Sequence, residues 1–211
     1  MQPTLIALHG YTMNGARLRA LGEELFRVLE QHVTLVFPDA PHVCSPAAAQ
    51  AAFLAWGLAP TEPPHLRWWR AKDDGRVYEG WKEACECVRG LIPEQAPVGI
   101  LGFSQGAMLA ASLAALSARG RFPTLRCAVL IAGGVPRAED LSALFTEPIA
   151  VPSLHVWGER DKLADTSAPQ LAERFQEAQR ETVTWPGSHS IPQSGQAAST
   201  IVRFVQERLG V

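Results

Sequence analysis

The sequence VGILGFSQGA, residues 98–107, decides the fold class of this chain. Its first four residues predict a buried strand, and an apolar pattern typical of a helix begins at Gln105. Between them lies Gly102-Phe103-Ser104-Gln105-Gly106, a Gly-x-Ser-x-Gly pattern. So tight a turn from strand to helix needs flanking glycines, and it predicts a nucleophile elbow that lifts the Ser104 hydroxyl above the sheet at a helix N-terminus. The alternative is that Ser104 only caps the helix.

Similar short apolar runs recur along the chain and predict further strands. They lie at residues 5–8, 33–37, 127–132, 153–157 and 182–185. Amphipathic helical patterns lie between the runs, at residues 18–29, 78–91, 105–119, 168–178 and 196–209. Because strands and helices alternate, the sequence predicts an α/β fold with a mostly parallel sheet of about six strands and helices on both faces. The length of 211 residues predicts a single domain over residues 1–211.

Residues 38–74 interrupt this alternation with six prolines and three tryptophans. We predict an irregular excursion over one end of the sheet, with a short helix at residues 47–54, because long irregular connections in compact domains are usually functional. Trp56 is expected to seal the core. Trp68 and Trp69 are candidates for the wall of an apolar substrate pocket, since two adjacent indoles are not expected both to point inward.

Composition and charge disfavour several classes of partner. With 19 basic and 21 acidic residues the formal net charge is −2, which gives no electrostatic footprint for nucleic acid or an anionic membrane. The longest apolar stretch, residues 106–116, is far shorter than the roughly 20 residues of a membrane span, and no signal peptide is visible. Four cysteines without a Cys-x-x-Cys pair indicate reduced thiols and a cytoplasmic protein.

A serine nucleophile needs a base to take its proton and a carboxylate to orient that base. In sheets of this kind the acid and the base follow the serine in that order, on loops after later strands. The loop sequence GERDK, residues 158–162, follows one predicted strand, and PGSHS, residues 186–190, follows the next. We therefore predict Asp161 as the acid and His189 as the base.

Other residues compete for these roles. Glu159 directly follows a glycine and is expected to point away, whereas Asp165 has the position of a helix N-cap. His155 lies inside a predicted strand, where a buried core imidazole is the simpler interpretation.

An oxyanion needs two preorganised backbone donors. One is expected from Gln105, directly after the nucleophile, and the other from the loop after the first strand, where Tyr11 is the first choice and Thr12 the second. His9 in the same loop is expected to be structural.

Several of these motifs together resemble the FSH family of serine hydrolases, within the α/β-hydrolase superfamily. They are LHGY at residues 8–11, GFSQG at residues 102–106, Gly158-x-x-Asp161, GSHSIP at residues 187–192, and Trp68-Trp69 followed by Tyr78-x-Gly80. The resemblance covers nearly the whole chain. The Phe-Ser-Gln-Gly sequence is also similar to acyl-protein thioesterases and small carboxylesterases.

The resemblance implies a cofactor-independent serine carboxylesterase that forms an acyl-enzyme, without a metal. It carries over Ser104, Asp161 and His189 as the catalytic triad, with Tyr11 and Gln105 as oxyanion donors. Ser188 stands where many relatives have glycine, a departure that is expected to leave the histidine in place.

The expected partner is a small-molecule ester with a medium or long acyl or alkyl chain, and the oligomeric state is not predicted. Thioesterase and lipid or lactone hydrolase activities are the alternatives, because they share the triad chemistry. A non-catalytic binding protein is disfavoured, since it has no reason to keep the three residues in this order.

Overall fold

The computed structural model describes residues 2–56 and 60–211. The strands are β1 Thr4–Leu8, β2 Thr34–Val36, β3 His42–Val43, β4 Leu66–Arg67, β5 Arg70–Lys72, β6 Val77–Glu79, β7 Val98–Phe103, β8 Leu125–Ile131, β9 Ser153–Gly158 and β10 Arg180–Trp185. The α-helices are α1 Gly15–Leu21, α2 Glu23–Leu29, α3 Pro46–Trp56, α4 Trp81–Arg89, α5 Gln105–Ala118, α6 Ser167–Ala172 and α7 Gly195–Leu209. Short 3-10 helices lie at Asp73–Gly75, Glu139–Phe145 and Glu177–Gln179.

Six strands form one parallel sheet in the order β10-β9-β8-β7-β1-β2. Strand β7 lies near the middle and is buried along its whole length, which explains its continuous apolar sequence. One apolar cluster, on one face of the sheet, includes the alanines and leucines of α5, and a second includes residues of α1, α2 and α7 on the other face. This arrangement confirms the predicted α/β fold with a single six-stranded sheet.

Three predicted helices are shorter than their patterns. The pattern at residues 18–29 is split at Gly22, where the chain is non-helical and a Cβ would lie 2.5 Å from the Phe26 ring. The pattern at residues 78–91 begins as a helix only at Trp81, because Tyr78 belongs to β6. In the third pattern, at residues 168–178, the α-helix already ends at Ala172.

The excursion at residues 38–74 contains more regular structure than predicted. The short helix is confirmed as α3, and β3 pairs with β4, and β5 with β6, in antiparallel ribbons. Backbone hydrogen bonds from Thr12 N to Leu66 O (2.8 Å) and from Leu66 N to Met13 O (3.0 Å) tie β4 to the loop after β1. The excursion therefore lies over the carboxyl ends of the parallel strands. The side chain of Trp56, expected in the core, lies outside what the structure describes.

The cysteines are all free thiols. In the described ranges, no helix has the length and apolar character needed to cross a bilayer. The cytoplasmic location stays a prediction.

Two buried imidazoles couple the stability of the fold to pH. Burial lowers the pKa of His9 to about 4 and that of His155 to about 3, from 6.5. His155 packs edge-on against Phe175 and its Nε2 lies 3.1 Å from Ser153 Oγ. The interpretation of His155 as a core imidazole is thereby confirmed.

Replacing His155 with glutamine is expected to weaken the acid sensitivity of the protein. Below pH 6.5 the unfolded chain binds a proton at this histidine that the folded protein excludes, so the free energy of unfolding falls as the pH falls toward 3. Between pH 7 and pH 5 the loss due to this one group is about 2 kcal/mol. Urea unfolding at both pH values measures it, and an equal loss in the wild type and His155→Gln would contradict the expectation.

Candidate active site

Ser104 occupies a strained turn between β7 and α5. Its φ of 55° and ψ of −115° lie outside the ordinary regions for a residue with a side chain. A Cβ on Gly102 would lie 2.3 Å from Gly106 O, and one on Gly106 would lie 2.2 Å from Leu8 O. Both glycines are therefore required by close backbone approach, as the sequence pattern predicts.

Asp161, His189 and Ser104 form one chain of hydrogen bonds. Asp161 follows β9 and His189 follows β10, so the parallel register brings both loops to the same edge of the sheet as the Ser104 turn. His189 Nδ1 lies 2.8 Å from Asp161 Oδ2, and His189 Nε2 lies 3.0 Å from Ser104 Oγ. The side chain of Asp161 is fully buried and that of His189 is 14% exposed. Because a carboxylate only accepts hydrogen bonds, Nδ1 carries a proton and donates it, which leaves Nε2 as an acceptor for the serine proton.

The second oxygen of the Asp161 carboxylate fixes its orientation. Oδ1 accepts the backbone N–H groups of Leu163 (3.0 Å) and Ala164 (3.2 Å). Backbone donors of this kind stabilise negative charge on a carboxylate that is removed from water.

The two rival acids lie elsewhere. Asp165 is exposed and its Oδ1 accepts the backbone N–H of Thr166 at 2.7 Å. Glu159 is also exposed, with Oε1 3.4 Å from Thr184 Oγ1 on β10. The expectation that Asp165 caps the next helix is wrong, because the N-cap of α6 is Thr166.

The loop after β1 and the start of α5 meet at Ser104. Gln105 is the first residue of α5, where a backbone N–H has no acceptor within the helix. The alternative donor Thr12 is excluded, because its N–H bonds to Leu66 O. Tyr11 therefore stays the candidate for the second donor in this loop.

His9 and Trp68 hold this loop in place. His9 Nε2 accepts the Ala40 N–H at 3.0 Å, so the ring proton is on Nδ1, which donates to Gly10 O at 2.8 Å. The indole Nε1 of Trp68 donates to His9 O at 2.8 Å. The predicted structural role of His9 is consistent with these bonds, since its imidazole is fully buried.

The assignment of Trp68 to the substrate pocket is wrong, because this side chain is completely buried beneath the loop. Trp69 is 2% exposed, stacks on Tyr78 at 4.7 Å and reaches a cavity wall. Both indoles are buried, contrary to expectation, although Trp69 also forms part of the wall of a cavity beside Ser104. The side chain of Gln105 ties the backbone of both tryptophans to α5. Its Oε1 accepts the backbone N–H of Trp68, and its Nε2 donates to the backbone oxygen of Trp69. The sequence pattern gave no signal for this role.

Two cavities open on either side of Ser104. One, of about 400 Å³, is lined mainly by apolar side chains, among them Met13, Leu21, Phe53 and Phe103, and its wall also includes Arg17 and His189. The other, of about 700 Å³, includes Arg67, Arg70 and Arg137. Tyr11 and Ser104 belong to both walls. The arginines were not predicted from the sequence; the only available signal is that Arg137 lies in the loop after β8.

Comparison with known proteins identifies the family of this chain. The family model described as serine hydrolase (FSH1) matches residues 1–201. The chain belongs to the FSH1 serine hydrolase family. An esterase of Aedes aegypti is 31% identical over 216 residues, which cover 97% of this chain and 76% of that protein. Esterase OVCA2 of Homo sapiens is 31% identical over 219 residues, which cover 96% of this chain and 95% of that protein.

Solved structures support the fold of this FSH1 family member. Acyl-protein thioesterase 2 of Zea mays superposes with a TM-score of 0.70 at 18% identity, covering 99% of this chain and 94% of that one. In this FSH1 family member Ser188 is exposed, so its side chain does not crowd the loop that carries His189.

Proposed function

We propose that this FSH1 family hydrolase cleaves carboxylic esters through an acyl-enzyme on Ser104, with His189 as general base and acid and Asp161 as the group that orients it. The observation that supports this most strongly is the hydrogen-bonded chain from Asp161 to His189 to Ser104. A serine with only a capping role does not require a strained turn or an imidazole within 3.0 Å.

The first half of the reaction transfers the acyl group to the enzyme. His189 Nε2 takes the Ser104 proton as Oγ bonds to the ester carbon, and the carbonyl oxygen becomes an oxyanion. The backbone N–H groups of Tyr11 and Gln105 stabilise that charge. The carbon–oxygen bond to the alcohol then breaks, and the imidazolium gives its proton to the departing oxygen.

The second half returns the enzyme to its starting state. The same imidazole takes a proton from water as the water oxygen attacks the acyl carbon. The bond to Ser104 Oγ breaks, and the proton passes from His189 to the serine. The same steps cleave a thioester, so a panel of matched oxygen and sulfur esters decides between ester and thioester preference.

Covalent labelling tests the proposal directly. A fluorophosphonate probe is expected to label the wild type and to leave Ser104→Ala unlabelled, because the probe phosphonylates an activated serine. Ser142→Ala is the matched control, since Ser142 is exposed on the short helix Glu139–Phe145 and is not among the described wall residues of either cavity, so this variant should still be labelled. Labelling of Ser104→Ala would contradict the proposal.

We infer from the position of His189 that the apolar cavity takes the alcohol side of the ester. The imidazole protonates the departing oxygen, so the alcohol must lie next to it. His189 belongs to the wall of the apolar cavity and is not among the described wall residues of the arginine-lined cavity. The acyl side is thereby directed toward the arginine-lined cavity.

This assignment predicts a dependence on alkyl chain length. Each methylene buried is worth about 0.8 kcal/mol, so kcat/KM should rise about fourfold per methylene from ethyl to hexyl butanoate until the cavity is filled. Ala20→Phe places bulk in the wall of this cavity and should flatten the series, while Ala178→Phe on a distant exposed site should not. Titration of released acid measures the rates, and a flat wild-type series would count against an alkyl pocket here.

A further inference from the structure

The larger cavity beside Ser104 has a cationic wall that the ester chemistry does not use. Arg67, Arg70 and Arg137 contribute to this wall, and none of its described residues is acidic. Guanidinium groups bind carboxylate and phosphate with paired hydrogen bonds, so three of them around one cavity form a chemically specific surface.

These arginines lack acidic partners in the part of the chain that the structure describes. None of the three takes part in an ion pair within 4.0 Å there. The hydrogen bond from Lys72 is the main cause of the lowered pKa of Glu79, and the charges of Arg70 and Arg67 contribute less. The main partner of this carboxylate is Lys72, whose Nζ lies 2.9 Å from Glu79 Oε1. Among the described residues, no carboxylate within 4.0 Å neutralises any of the three guanidinium groups.

Arg67 is held in place without a neutralising charge. It belongs to β4, is half-buried, and contacts the Tyr11 hydroxyl and the Cys44 thiol. Its Nε is buried and has no hydrogen-bond partner among the described residues. Partial burial of a guanidinium without a neutralising charge is costly, and an anion in the cavity would offset part of that cost through its charge.

Arg137 belongs to the wall of the same cavity and lies in the loop after β8. Its guanidinium lies against Gly75, where a Cβ would come within 2.6 Å of Nη2. Gly75 also has a φ of +85°, so the position favours glycine for two reasons. The backbone N–H of Arg137 donates to the Tyr78 hydroxyl at 2.9 Å, which anchors its loop to β6.

We propose that this cavity binds an anionic group, a carboxylate or a phosphate, carried on the acyl part of the substrate, with Arg67, Arg70 and Arg137 as its ligands. The inference rests on the proposed function, because the acyl side is assigned to this cavity by the position of His189 in the other wall. The substrate class is then an alkyl ester of an acid that has a second, anionic end.

Three esters with one leaving group test the inference. They are the 4-nitrophenyl esters of hexanoic acid, of hexanedioic acid with its second carboxylate free, and of 6-(phosphonooxy)hexanoic acid. Wild-type kcat/KM for one of the anionic esters is expected to exceed that for hexanoate by about tenfold to a hundredfold, the usual worth of hydrogen bonds to a charged group. The anionic ester with the higher kcat/KM shows whether the preferred anion is a carboxylate or a phosphate.

Arginine variants show whether this cavity is the source of the preference. Arg137→Gln should lower the ratio of anionic to neutral kcat/KM about tenfold, and Arg67→Gln should do the same. Arg126→Gln is the matched control, because Arg126 is exposed on β8 and is not part of the described wall. Circular dichroism of each variant shows that it is folded, and Arg137→Gln changes an exposed side chain, so a folding failure of Arg67→Gln alone leaves the test intact.

The outcomes separate this inference from the proposed function. If hexanoate is hydrolysed at least as well as both anionic esters, or if Arg137→Gln leaves the ratio unchanged, anion binding in this cavity is overturned while ester hydrolysis stands. If no ester is hydrolysed and the fluorophosphonate does not label Ser104, the proposed function fails and this inference fails with it.

Discussion

Ser104→Ala is expected to lower kcat for ester hydrolysis by about four to six orders of magnitude, because it removes the atom that forms the acyl-enzyme. The residual rate would come from the oxyanion donors and from substrate binding. The fold should be unaffected. Alanine keeps the Cβ, so the backbone at φ 55° is no more strained than with serine, and among the described residues the hydroxyl is hydrogen-bonded only to His189.

Two measurements make this result decisive. Initial rates with a 4-nitrophenyl ester give the activity, and urea unfolding gives the stability, which we expect to change by less than about 1 kcal/mol. Near-wild-type turnover by a folded Ser104→Ala protein would refute the nucleophile assignment.

Asp161→Asn is expected to lower kcat about 10⁴-fold with the geometry preserved. The asparagine Oδ1 can still accept the Leu163 and Ala164 N–H groups that now bond to the carboxylate. Its amide nitrogen then faces His189 Nδ1 and donates to it, so the ring proton moves to Nε2. In that tautomer Nε2 points a proton at Ser104 and cannot accept one.

Asp165→Asn is the matched control, since it removes a nearby exposed carboxylate that bonds only to Thr166 among the described contacts. It should retain the wild-type rate. Combining Asp161→Asn with Ser104→Ala should cost little more than Ser104→Ala alone, because groups that act as one unit are not additive. A large loss of kcat in Asp165→Asn together with a normal kcat in Asp161→Asn would show that Asp165, and not Asp161, is the acid.

The local signals at the sheet edge could be interpreted from the sequence because each has a short-range cause. The glycines on either side of Ser104 are dictated by backbone contacts of 2.2 and 2.3 Å, which any residue with a Cβ would violate. Asp161 and His189 each follow a strand, and parallel strands bring their carboxyl ends to one edge. The choice of these two residues followed from chain order, and their contacts with each other are consistent with it.

By itself the sequence determined the alternation of strands and helices, the turn at Ser104 and the order of the three candidate catalytic residues, because periodicity and glycine sterics act over a few residues. Only the tertiary structure decided which side chains form the cavity walls. Trp68 is buried because its indole bonds to His9 O across a sequence separation of 59 residues, and the arginines meet because β4 and the loop after β8 converge on Ser104. Side chains in an irregular segment take their orientation from such long-range contacts, which leave no periodic trace in the sequence.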